Sequence, residues 1–166
     1  LWSTQYNSIF IYALPLFFIM MMLFAIYTGK NKLMHEYMLL LKHSGLKSPD
    51  FVDKFSDFTV IFNMGVNGLF ATLFVIFIKG DLNGPIIGSI FTIVGFSATG
   101  KHIRNIAPVM FGVFIASAMK LWVITDPAPL MTLILSTTLA PIAGEFGVFA
   151  GILAGFLHSS VALNVG

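Results

Sequence analysis

The nineteen residues from Ile9 to Tyr27 contain no charged side chain. As an α-helix they rise about 28 Å, close to the roughly 30 Å of a bilayer's hydrocarbon core. Phe58 to Ile78 is a second uncharged run of sufficient length. Two such runs in a chain of 166 residues strongly constrain the solvent it folds in. Composition agrees, with 57% hydrophobic residues, 18 Phe, and only 10% charged residues, against about 25% charged in ordinary soluble domains. A soluble fold of this size cannot bury that much apolar surface and still cover itself with charge. The sequence therefore predicts an all-α integral membrane protein.

Four further apolar segments bring the total to about six: Pro85 to Gly100, Ile106 to Ile124, Pro129 to Gly144, and Val148 to Leu163. The two that begin at Pro85 and Pro129 have only sixteen residues each. At about 24 Å they fall short of the bilayer core, so they read either as re-entrant or broken helices around a polar cavity, or as short spans. Residues 1–29 hold the first span, and 30–57 a different kind of segment. Leu33, Met34, Tyr37, Met38 and Leu41 recur there at helical spacing, opposite Lys30, Lys32, Glu36 and Lys42. Gly45 reads as a helix stop and Ser48-Pro49-Asp50 as an N-cap with Pro in the first turn. Phe51, Phe55, Phe58 and Phe62 continue an i, i+4 stripe into the second span. The expectation is an amphipathic helical hairpin at the membrane surface, or one docked on a cytoplasmic partner. Residues 58–166 form the remaining bundle. The chain opens on Leu1 without Met and ends in an apolar stretch, which reads as part of a longer polytopic protein.

Basic residues set the orientation. Residues 30–57 hold five Lys, and the turn at 101–105 holds Lys101 and Arg104; the opposite turns hold only Lys79 and Lys120. That asymmetry places 30–57 and 101–105 in the cytoplasm and the residues before Ile9 outside. The net charge of +2 comes without a basic stripe interleaved with aromatics, so no nucleic-acid partner is implied.

A weak internal repeat links 85–124 with 129–166. In each, Pro and Gly stand fifteen residues apart, a charged residue follows (Lys101 or Glu145), and a Gly/Ala/Ser-rich helix comes next. With a one-residue gap, Gly112 aligns with Gly155 and Ser117 with Ser160. Duplicated units of this kind are common in transporters and channels.

Polar groups inside apolar segments carry the functional expectation, because each costs free energy unless paired or hydrated. Asn63 and Asn67 share a helix face with Gly65 and Gly68 nearby, suited to helix packing or to a pore lining. Ser97 and Thr99 end the third segment, and Ser136 and Thr137 lie in the fifth. Small hydroxyl residues beside Gly and Pro serve either a broken helix that presents polar atoms to a solute or tight packing. Glu145 is a turn carboxylate in range of Lys101 or Arg104 if the two turns approach. His158, deep in the sixth span, is either a hydrogen-bonded neutral ring or a coupling group. These eight residues are the candidate solute- or ion-binding set.

Other chemistries find less support. Without cysteine there are no thiolate sites or Cys nucleophiles. His35 and His43, eight apart, make no metal motif, and phosphate-cradling loops are absent, so no cofactor is implied. Gly95-Phe96-Ser97 matches the short pattern around the serine of rhomboid-type proteases, with His158 as a base, but the rest of that family's features are missing.

The runs GFSATGKHIRNIAP from Gly95 and STTLAPIAGEFG with GILAGFLH, between Ser136 and His158, resemble a family of bacterial multi-spanning membrane proteins catalogued only as a domain of unknown function. The resemblance covers roughly the second half of the chain. It implies a polytopic inner-membrane protein with no assigned substrate. By architecture alone, the paired short segments are similar to pseudo-repeat channels for small solutes. The leading expectation is passage of a small polar solute or ion by a secondary transporter or channel. The partners would be the lipid bilayer and the solute, with a second copy of the chain or a cytoplasmic protein at 30–57 as further candidates. A non-catalytic membrane scaffold is the alternative, and an intramembrane serine hydrolase a third.

Overall fold

The computed structural model describes residues 7–47, 50–120 and 122–165. Residues 1–6, expected on the outer side, and the Ser48-Pro49 part of the expected cap lie outside the described residues. The chain is all-α, in the order α1 (Asn7–Leu40), α2 (Phe51–Lys54), α3 (Asp57–Phe77), α4 (Gly84–Phe96), α5 (Ile103–Met119), α6 (Pro127–Leu135), a 3₁₀ turn (Ser136–Leu139), α7 (Ala140–Phe146) and α8 (Val148–Val165). Three helical stretches are long and apolar enough to cross a membrane: Asn7–Leu40, Asp57–Phe77, and Pro127–Phe146, which includes the 3₁₀ turn.

The first span and the surface segment are one continuous element, bent at Lys30, whose φ of 45° leaves the right-handed helical region. Beyond the bend, Leu33, Tyr37 and Leu40 are buried, whereas Met34 and Met38 stay exposed. The expected hairpin of two amphipathic helices is therefore a single ten-residue extension, 31–40, followed by a loop and the four-residue α2. The helix stops five residues before Gly45, so His43 lies in the loop, its ring edge-on to Phe51 and Phe55. Asp50 caps α2 by accepting the Val52 N–H at 2.9 Å. Extended backbone at Phe55 interrupts the phenylalanine stripe, although Phe51 and Phe62 both reach the core.

Glu36 fastens this extension to α3. Its carboxylate accepts the Ser56 backbone N–H at 3.1 Å, the Ser56 hydroxyl, and the Thr59 hydroxyl at 3.0 Å. Ser56 itself makes no side-chain cap, so Glu36 supplies the negative charge that the helix N-terminus favours. The Ser56 hydroxyl, foremost, holds the Glu36 carboxyl below the usual carboxylate range, against a smaller opposing effect of burial.

Two ends of the bundle are defined by contacts. At one, the Leu82 N–H donates to Asn7 Oδ1 at 2.9 Å, and Leu130 packs on Gly80. At the other, the 41–47 loop meets the start of α5 and the end of α7: His102 Nε2 lies 2.7 Å from the His43 carbonyl, and Gly144 abuts the Ser44 backbone. The stretches 85–100 and 129–144 thus both run from end to end. The first is helix α4 plus a turn. The second is longer than its sixteen-residue apolar core, because helix starts at Pro127 and lasts to Phe146. It is broken in the middle for a covalent reason. Pro141 has no N–H to give the Thr137 carbonyl, and the Ala140 N–H takes that carbonyl in a tighter 3₁₀ bond.

The main core joins Leu14 and Phe18 of α1 to Ile86 and Ile90 of α4, Ile106 and Met110 of α5, and Leu130 and Leu133 of α6. Helices α5 and α8 start at the same end and cross closely at glycine. A Cβ at Gly112 would overlap the Ile152 carbonyl, and one at Gly155 would overlap the Val109 carbonyl. The two contacts are reciprocal, and they fall on the two glycines that the repeat aligns.

Candidate functional site

Asn63 and Asn67 stand one turn apart on α3, and both are fully buried. The Asn63 amide donates to the Ser97 carbonyl and to the Lys101 carbonyl, each at 2.8 Å. The Asn67 amide donates to the Ser97 hydroxyl at 2.6 Å and to the Lys101 carbonyl at 3.2 Å. Among the described residues, the Oδ1 atoms of both take no hydrogen bond. Gly65 and Gly68 point elsewhere, against Phe18 and Met22 of α1. The Asn and Gly positions therefore serve two different neighbours: the first hold the loop after α4, and the second let α1 approach.

That loop is fixed at nearly every carbonyl. Besides Ser97 and Lys101, the Ala98 carbonyl accepts the Phe51 N–H at 2.8 Å, and the Gly100 carbonyl accepts the Asn105 amide at 2.9 Å. Asn105 in turn accepts the His102 N–H at 2.9 Å, ordering the start of α5. Backbone amides and carbonyls buried near a membrane need such partners, and here side chains from α3 and α5 provide them.

The pinned backbone directs Lys101 inward. Its side chain is only 8% exposed. The ammonium donates to Thr137 Oγ1 at 3.1 Å and lies 4.9 Å from the centre of the Phe96 ring. Thr137 accepts this bond while its own hydroxyl donates to the Ile134 carbonyl at 2.8 Å, so it can serve both. Lys101 lies in the loop between α4 and α5, and burial alone pulls its amine down to about 8. His102 next to it is held below the usual imidazole range, chiefly by burial, with Arg104 and His43 adding to that and the hydrogen bond to the His43 carbonyl opposing it.

A cavity of about 160 Å³ opens beside Lys101, lined by Gly45, Phe96, Thr99, Gly100, Lys101, Thr138 and Pro141. A neighbouring one of about 130 Å³ is lined in part by Lys42, His43, His102 and Arg104. The 3₁₀ break, the end of α4 and the 41–47 loop converge on the first cavity.

The structure thus joins Asn63, Asn67, Ser97 and Thr137 through Lys101, and places Thr99 on the cavity wall. Ser136 is buried beside Thr137, its hydroxyl donating to the Leu133 carbonyl at 2.7 Å. Glu145 is exposed at the end of α7, and His158 is half-buried on α8. Among the described residues, no hydrogen bond ties either to the cluster. Lys101 is paired with Thr137 rather than with Glu145. The Ser97 hydroxyl donates to the Ile93 carbonyl at 2.7 Å and is not joined to His158. Among the described residues, no three His, Asp or Glu side chains converge as metal ligands.

Sequence reasoning reads Lys101 as an orienting surface charge, and so misses its role at the centre. A signal was present: it directly follows Gly100 and the small-residue run, as Glu145 follows Gly144. Whether such a charge turns inward depends on α3 and the 3₁₀ turn, both distant in sequence.

No curated protein and no solved structure matches this chain. A family model matches residues 29–166, starting far ahead of the second half on which the resemblance was read. By that match the chain belongs to the family described as "Protein of unknown function (DUF1576)".

Proposed function

We propose that the chain is a multi-pass bacterial inner-membrane protein that passes a small polar solute or ion, as a secondary transporter or a channel. The carrying observation is the meeting of a broken helix and a buried cation at a cavity: Ser136–Leu139 interrupts the α6–α7 span where Lys101 and Thr99 face it. A 3₁₀ stretch inside an α-helical span often marks a functional position, and interrupted helices beside polar cavities are where solute sites form in such proteins. In this reading the segment 30–57 and the turn 101–105 are cytoplasmic, as their basic residues favour, and the cavity opens to that side. Ser97, Thr99, Ser136, Thr137, Asn63 and Asn67 line or support the pathway. Glu145 and His158 enter only in a conformation other than the one described.

The natural chain has no cysteine, so single cysteines report cleanly. Placed at Ala98, Thr99, Thr137, Thr138 and Ala143, they are exposed to a small membrane-impermeant thiol reagent from each side in turn. The expected outcome is labelling at Thr99 and Thr138 from the cytoplasmic side and graded labelling at Thr137. Protection at all of these positions removes the pathway.

A second reading is favoured by one observation. Met34, Met38 and Leu39 are 59%, 54% and 40% exposed on the surface extension. They suit a scaffold that docks a cytoplasmic protein. Dry cysteines together with a stoichiometric copurifying protein, lost in Met34→Glu/Met38→Glu, would establish that reading instead.

A further inference from the structure

We propose that the cavity beside Lys101 binds a small monocarboxylate, its carboxylate on the Lys101 ammonium and its short apolar tail against Phe96 and Pro141. The inference narrows the solute class in the transport reading and rests on that reading only for the solute's passage. Binding stands on the local chemistry.

Charge is the first argument. The Lys101 ammonium has three donors; among the described residues its hydrogen-bond acceptor is Thr137 Oγ1, with the Phe96 ring as a second, weaker neighbour. Neither is an anion, and among the described residues no acid lines the cavity. A buried ammonium without a counter-charge costs several kcal/mol relative to one with it. An anion that reaches it recovers much of that through a charge-assisted hydrogen bond.

The walls give the second argument. Phe96 and Pro141 present apolar surface, and Thr99, Thr138, Gly45 and Gly100 complete the lining beside Lys101. An ion such as chloride makes no use of the apolar side. A dicarboxylate would bring its second charge against Phe96 and Pro141, where nothing would solvate it. A monocarboxylate with a tail of one to three carbons matches both halves.

Size is the third. About 160 Å³ equals the share of roughly five water molecules at about 30 Å³ each. That is ample for a carboxylate with a short tail. The adjoining cavity, whose lining includes Lys42 and Arg104, adds positive potential nearby and raises the local anion concentration.

Isothermal titration calorimetry on the full chain in lipid nanodiscs tests this with sodium propionate, its neutral isostere propionamide, and disodium succinate. The expected result is binding of propionate alone. Lys101→Gln should weaken it by about tenfold or more, and the exposed Lys32→Gln should not change it. Equal binding of propionate and propionamide by the natural protein overturns the proposal, as does unchanged propionate affinity in folded Lys101→Gln or an absence of propionate binding. If Lys101→Gln fails to fold, the propionate–propionamide pair in the natural protein still decides. Proteoliposome uptake separates the two readings. Propionate binding without uptake keeps the site and removes transport, whereas uptake of a neutral solute without propionate binding keeps transport and removes the carboxylate site.

Discussion

At the scale of single residues, the loop after α4 is organised by two asparagine amides. Asn63 satisfies two buried carbonyls, whereas Asn67 shares one of them and spends its other bond on a hydroxyl. Leaving buried carbonyls unpaired costs about 1–3 kcal/mol. Asn63→Ala should therefore lower the thermal midpoint in detergent more than Asn67→Ala. The double variant should fall by less than the sum, because both act on the Lys101 carbonyl. Lys101 itself gives a signed pH prediction. Its amine sits at about 8 in the folded chain, against about 10.4 when unfolded. Between those values the unfolded chain binds more protons, so stability rises with pH across that window. Below about 8 the folded state carries the full cost, at most about 2–3 kcal/mol. Lys101→Gln should be the more stable protein at neutral pH, and its advantage should vanish by about pH 10. A constant gap in midpoint between the two proteins would show that Lys101 is solvated.

At the scale of elements, helix length and helix contact have different origins. The 3₁₀ turn in the α6–α7 span falls where Pro141 has no N–H to give, although the helices that hold Pro15 and Pro108 continue past them. The α5–α8 crossing follows from two glycines at backbone contact distance, the small-residue packing that membrane helices use in place of a hydrophobic drive. Gly112→Ala and Gly155→Ala should each destabilise by about 2 kcal/mol or more, since the methyl would overlap main chain that has little room to yield. Gly88→Ala is the control. A Cβ there meets nothing within 4 Å, and α4 should gain up to about 1 kcal/mol from the better helix former. Thermal midpoints of the three variants check this; equal effects would mean that the crossing is looser than described. These are the two glycines that the expected repeat aligns, whereas the short segments before them differ, one being an unbroken helix and the other interrupted.

At the scale of the whole molecule, the 41–47 loop holds the basic end together. Ser44 lies against Gly144, and Gly45, at φ 78°, places its Cα where a Cβ would stand 2.7 Å from the Gly100 carbonyl. The loop thus touches the ends of both short segments, 85–100 and 129–144. Gly144→Ala should push it out and speed tryptic cleavage at the exposed Lys42 and Lys47 several-fold, with the helices intact by circular dichroism. Unchanged cleavage would mean that the other contacts of the loop, the His102–His43 and Arg104–Leu41 bonds among them, suffice to hold it.

Helices long and apolar enough to span a membrane, helical class and the meeting of the 30–57 segment with 101–105 at one end of the bundle were legible in the sequence. Each is a local sum of hydropathy or charge along the chain, and a sum needs no partner. The polar residues that matter were legible too, since Asn63, Asn67, Ser97 and Thr137 stand out against apolar neighbours wherever they point. Only the tertiary structure decided that Lys101 turns inward while Glu145 turns out, although both follow a glycine at matching places in the repeat. The physical reason is that burial of a charge is set by what surrounds it. For Lys101 the surroundings come from α3, from α5 and from a 3₁₀ turn thirty-six residues away, which together pin its carbonyl and accept its amine.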